Sequence, residues 1–159
     1  MKRRVLFVAL SLALLAGLAV AARGHYLDGR GPDLLALLPP PPVAGSPQAR
    51  AEVDELLALQ AARTPEQVEY ARADASRTPY RFADVLGPGC NKDAAPLLGR
   101  LMANVKRDAS AAVDPVKNHY NRPRPFKAHP EITPCLSLPS SASYPSGHST
   151  YGHLTAIIL

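Results

Sequence analysis

The 159-residue chain has no tryptophan, and its aromatics are three phenylalanines and six tyrosines. So few flat side chains argue against the stacking surfaces that hold single-stranded nucleic acid. Charge is sparse at 19%, while 47% of residues are hydrophobic. The composition of a disordered chain, low in apolar residues and high in net charge, is therefore missing. No segment alternates apolar and polar residues for long enough to read as a strand. Beyond residue 22 no run is apolar enough to cross a bilayer.

Proline is abundant, with seventeen residues beside ten glycines, but neither recurs at a fixed period. Collagen-like and repeat architectures are excluded on that ground. The length suits one domain. Lys2, Arg3 and Arg4 precede an apolar core from Val5 to Ala16, and Ala19-Val20-Ala21 follows. This is the order of a secretory signal, and residues 1–21 are expected to be one; an uncleaved membrane anchor is the alternative. Cleavage after Ala21 leaves 15 basic and 13 acidic residues, a net +2 in place of +5. The apparent basicity then belongs to export, and nucleic acid is not expected as a partner. A periplasmic or secreted location follows, with no membrane span in the mature chain.

Residues 22–47 read as a proline-rich arm, because Pro39 to Pro42 must be extended. It is either a ligand for another protein or a strap over its own domain. Residues 48–159 read as an all-α domain. Helical periodicity starts near Gln48, with Val53, Leu56, Leu57 and Gln60 on one face and Glu52, Asp54 and Glu55 toward water. Thr64-Pro65-Glu66-Gln67 is a capping box that starts a helix to about Ser76. Thr78 to Gly89 is expected to be irregular. Asn91 is expected to cap a third helix, its face formed by Leu98, Leu101, Val105, Ala109 and Ala112. Asp114-Pro115 should start a fourth, short helix from Val116 to Asn121, stopped by Pro123 and Pro125. Phe126 to Tyr144 reads as a long loop, a feature that is usually functional. A last helix should begin at Ser146. The sequence stops at Ala156-Ile157-Ile158-Leu159 with no capping residue, so a truncated chain is expected.

Cys90 and Cys135 are 45 positions apart. In an oxidising compartment a disulfide between them would stabilise by about 3–4 kcal/mol, and two free thiols are the other reading.

Two clusters carry chemistry. In Tyr144-Pro145-Ser146-Gly147-His148, Ser146 can cap the helix and Gly147 allows close approach to its backbone. The amides of Gly147 and His148 then face outward with the helix dipole behind them, an arrangement that suits phosphate. His148 in the first turn can donate a proton to a departing group. In Lys117-Asn118-His119-Tyr120-Asn121-Arg122-Pro123-Arg124-Pro125, Arg124 is fixed between prolines. Its planar guanidinium can hold two oxygens of an oxyanion while the Lys117 ammonium holds a third. A capped surface helix and a solvated basic stretch are the plainer alternatives.

Lys117-x6-Arg124-Pro125 followed by Pro145-Ser146-Gly147-His148 resembles the first two motifs of the phosphatidic acid phosphatase type 2 superfamily, which includes vanadium haloperoxidases. The flanking residues, KNHYNRPRPF and SYPSGHSTYGH, are most similar to the bacterial class A non-specific acid phosphatases. The resemblance covers the chain from about Thr64. It implies an all-helical acid phosphatase that hydrolyses small phosphate monoesters with no metal or other cofactor. Lys117, Arg124, Ser146 and Gly147 would bind the substrate phosphate, and His148 would be the catalytic acid. The family's third motif, Ser-Arg-x5-His-x3-Asp, supplies the nucleophilic histidine and is absent from these 159 residues. His153 is no replacement, lacking a preceding Ser-Arg. The polypeptide is therefore expected to be inactive as it stands.

A non-catalytic envelope module for phosphate or other anions is the rival reading. A metal site from His119, His129, His148 and His153 lacks any ligand spacing and is disfavoured. Self-association into a homo-oligomer is compatible with the sequence and not specified by it.

Overall fold

A computed structural model describes residues 25–27 and 31–159. The expected signal segment, residues 1–21, lies outside the described residues. Those that are described form an all-α structure with no strand. The helices are α1 (Leu34–Leu37), α2 (Pro47–Ala62), α3 (Pro65–Asp74), a 3₁₀ turn (Pro79–Phe82), α4 (Ala83–Leu86), α5 (Pro96–Tyr120), α6 (Pro125–Ala128) and α7 (Gly147–Ile158).

The local start signals act as chemistry dictates. Thr64 accepts from the Gln67 amide while the Gln67 side chain accepts from the Thr64 amide, closing the capping box of α3. That helix stops at Asp74, two residues short of Ser76. The stretch expected to be irregular holds the 3₁₀ turn and α4, which are single turns punctuated by Gly87 at φ +90°.

The central element is α5, and it departs from expectation at both ends. The Asn91 side chain does accept from following amides, those of Asp93 and Ala94 at 2.9 Å. It closes a turn, however, and the helix begins at Pro96 behind Ala95. Asp114-Pro115 starts no new helix, since α5 runs through Pro115 to Tyr120. The reason is packing register: Met102, Ala109, Val113 and Val116 are all buried at helical spacing across that point. Pro115 and Ala111, whose carbonyl loses its donor, lie on the exposed side. Of the face expected from sequence only Ala109 is buried, and Leu101 is exposed. The helix ends where Asn121 turns left-handed at φ 43°, before either proline.

Packing centres on α5, against which α1, the 3₁₀ turn and α7 lie. Tyr151 of α7 and Cys90 complete the buried apolar set among the described residues. Helix α2 buries no residue and docks by polar contacts instead. Glu52 is not turned to water but pairs with Arg122. Gln60 donates to the Glu131 carbonyl and accepts from the Thr133 amide, and Arg63 donates to the Thr133 carbonyl. The 126–144 loop, interrupted at its start by α6, is thereby clamped.

The proline run lies against its own domain. Tyr120 and Tyr144, packed edge to face, donate to the carbonyls of Leu38 and Pro39 at 3.1 and 2.8 Å. Cys90 and Cys135 are free thiols, and no disulfide joins them. The buried Cys90 thiol faces the Pro79 carbonyl at 3.7 Å.

Candidate phosphate-binding site

Residues 75–77 after α3 lie at the start of α7, and the loop 141–146 that leads into that helix is bonded to residues 117–124 at the end of α5. The loop is stitched down residue by residue. Ser143 donates through its amide to the Arg122 carbonyl at 2.9 Å and through its hydroxyl to the Pro123 carbonyl at 2.9 Å. Its neighbours Ser141 and Ala142 receive the two cations singled out from sequence.

Lys117 lies on the last turn of the 25-residue α5, not on a short helix of its own. Only 7% exposed, it donates to the Ala142 carbonyl at 2.8 Å. Burial lowers its pKa from 10.5, the Arg124 charge lowers it further, and Asp114 opposes both. Arg124 donates from Nε to the Ser141 carbonyl at 2.8 Å and from Nη2 to the Ser141 hydroxyl at 3.1 Å. Two positive side chains are thus held on consecutive loop residues, close enough for one to depress the other. An ammonium has three N–H donors and a guanidinium five. Among the described residues one acceptor serves Lys117, and one residue, Ser141, serves Arg124. Both keep donors to spare.

Four residues on from Ala142, Ser146 caps α7 by accepting from the Ser149 amide at 3.2 Å. The amides of Gly147 and His148 have no acceptor among the described residues. They are the two unpaired donors expected at this turn, with the dipole of a twelve-residue helix behind them. His148 is exposed, and its Nε2 donates to the Ala75 carbonyl at 3.3 Å. The structure therefore brings Lys117 and Arg124 onto one loop that leads directly into Ser146, Gly147 and His148. It does not bond the His148 ring to either cation.

Arg77 was not visible from sequence as a member of this group. Its Nη1 stands 3.7 Å from the position a β-carbon would take on Gly147. Its charge also reaches Tyr151, whose phenol burial raises above 10.0 against the opposing effects of Thr155 and Arg77. No local motif marks Arg77. It lies seventy residues upstream of Gly147, and only the fold brings the two together.

The histidines considered as metal ligands do not converge. His129 faces Glu131, His153 bonds the Ser149 carbonyl, and His119 stacks edge-on with Tyr120. Among the described residues no three His, Cys, Asp or Glu side chains group to hold a metal. No helix among them is long and apolar enough to cross a membrane.

No family model matches the chain. It is similar to a non-specific acid phosphatase of Providencia stuartii, 34% identical over 151 residues that cover 85% of this chain and 58% of that protein. It is also similar to an acid phosphatase of Zymomonas mobilis subsp. mobilis, 31% identical over 139 residues that cover 80% of this chain and 51% of that protein. The chain thus spans just over half the length of these curated relatives.

Proposed function

We propose that this chain carries the phosphate-holding part of an acid phosphatase of the phosphatidic acid phosphatase type 2 kind, acting on small phosphate monoesters. The observation that supports it best is the surplus of fixed donors on the loop that leads into α7 and on the first turn of that helix. Lys117, Arg124 and the Gly147 and His148 amides come from two segments, and their own chain leaves them under-used. Donors held in place before the ligand arrives stabilise an oxyanion without reorganising. The similarity to proteins named acid phosphatases supports the same ligand class.

In this reading Lys117 and Arg124 neutralise the phosphoryl oxygens, a task that metal ions perform in other phosphoryl-transfer sites. Ser146 orders the first turn of α7, and the Gly147 amide completes the cradle. His148, proton on Nε2, protonates the departing alcohol. Its bond to Ala75 at 3.3 Å is long, so the ring can exchange that carbonyl for the ester oxygen. The resemblance places the nucleophilic histidine on a Ser-Arg-x5-His-x3-Asp motif outside these residues. The 159-residue chain itself therefore binds phosphate and does not turn over. Export by a cleaved signal at residues 1–21 and periplasmic residence complete the proposal.

Titration calorimetry with inorganic phosphate and with orthovanadate, at mildly acid pH, tests it. Saturable one-site heat is expected, together with no release of nitrophenol from p-nitrophenyl phosphate. Absence of binding to either anion would refute the reading.

A further inference from the structure

Arg77 has a position that the two sequence motifs do not account for. It follows α3 by three residues and is half-buried. Gly147 lacks a β-carbon, so the guanidinium lies against bare backbone at the first residue of α7. One turn further along the same helix its charge is felt at the buried Tyr151.

Other arginines of the chain have partners, although the buried Arg81 Nε makes no hydrogen bond. Arg72 pairs with Glu69, Arg81 with Asp74 at 2.8 Å, and Arg122 with Glu52. Arg124 is bound to Ser141. Arg77 alone in this set has neither a carboxylate nor a hydrogen-bond acceptor among the described residues. Partial desolvation of a cation costs free energy unless something of opposite charge returns it. The two free amides of α7 lie at the same place and share the same need.

We propose that Arg77 is a third phosphate-binding cation. It reaches the anion from the Gly147 side, while Lys117 and Arg124 are held on the Ser141–Ala142 side. The inference rests on the reading of this site as a phosphate cradle and adds a residue to it.

The test compares Arg77→Gln, Arg77→Lys and Lys117→Met by vanadate calorimetry on the full chain. Loss of one charge-assisted contact should weaken binding about tenfold in Arg77→Gln, with partial recovery in Arg77→Lys. Thermal unfolding should not change, since Arg77 has no partner to lose. Weakened binding in Lys117→Met beside unaltered binding in Arg77→Gln would overturn the role of Arg77 and leave the cradle standing. Failure of the unmodified chain to bind vanadate would overturn both.

A second measurement needs no variant. Phenylglyoxal modification of the unmodified chain, read by peptide mass spectrometry, should be slowed by phosphate at both Arg77 and Arg124. Protection of Arg124 alone would overturn the inference, and protection of neither would overturn the cradle with it.

Discussion

Lys117→Met separates what this residue does for the fold from what it does for a ligand. Methionine keeps most of the volume of the lysine stem, which packs on the face that buries Val113 and Val116. The ammonium costs stability through burial and through repulsion from Arg124, the two effects that depress its pKa. It contributes one bond, to the Ala142 carbonyl. Replacing a buried charge by an apolar side chain of like volume is often neutral, so stability should hold to within about 1 kcal/mol. Anion binding should not hold, because a charged hydrogen bond of about 1.5–3 kcal/mol is removed, roughly a 10- to 100-fold loss of affinity. The pH dependence gives an independent check. Folding lowers the lysine's pKa from 10.5, so the folded chain holds this proton less tightly than the unfolded one. Stability from this group therefore rises as pH climbs through the lowered value toward 10.5, and the methionine variant should lack that rise. Urea unfolding across alkaline pH and vanadate calorimetry at mildly acid pH read the two effects. A stability loss above about 3 kcal/mol with unchanged vanadate affinity would make Lys117 a structural lysine and refute the reasoning.

Thr64→Ala removes one half of the α3 capping box and should cost about 1 kcal/mol in urea unfolding, with vanadate affinity untouched. Gly99→Ala places a methyl against the Tyr80 hydroxyl, which donates to the Ala95 carbonyl at 2.9 Å. The ring must move and lose that bond, so about 1–3 kcal/mol of destabilisation is expected; an unchanged melting temperature would refute the contact. For Asp108, burial raises the carboxyl pKa, but bonds from the Tyr26 amide and the His25 ring outweigh it and leave the pKa below 3.8. The stability this carboxylate contributes is present above 3.8 and lost as pH falls through the lower folded value. Asp108→Asn should flatten that acid limb, and an acid unfolding profile identical to the parent's would count against it.

What the sequence revealed was whatever a few neighbouring residues decide. The α3 capping box and the Ser146 cap are closed by side chains within three positions, so their geometry follows from local chemistry. Asn91 shows the limit of that logic. An asparagine accepting from the second and third amides ahead looks the same whether a helix or only a turn follows. Pro115 shows another limit. Its propensity to start a helix was outweighed by a buried face that continues from Ala109 to Val116, which is decided by α1, the 3₁₀ turn and α7 packing on α5. The candidate site was legible in the same graded way. Lys117, Arg124, Ser146 and Gly147 sit in two compact motifs, while Arg77 belongs to none. The bond from His148 to Ala75 was equally out of reach, because both depend on how α3 ends against α7.

Helix α5 carries two buried charges of opposite sign, and the difference in their surroundings separates structure from function. Asp108, 6% exposed, has both oxygens occupied, with the His25 ring at 2.7 Å and the Tyr26 amide at 2.6 Å. Those bonds pin residues 25 and 26 to the helix and give the carboxylate local partners. Lys117, nine residues on and 7% exposed, has one carbonyl for three donors and a second cation beside it. The Asp114 carboxylate offsets part of that repulsion without a hydrogen bond to the ammonium among the described residues. Arg124 is held on the next loop residue, and that loop leads to the two free amides of α7. In the proposed phosphate cradle an incoming oxyanion would offset the repulsion between these two cations, which is why Lys117 and not Asp108 is assigned to the ligand there.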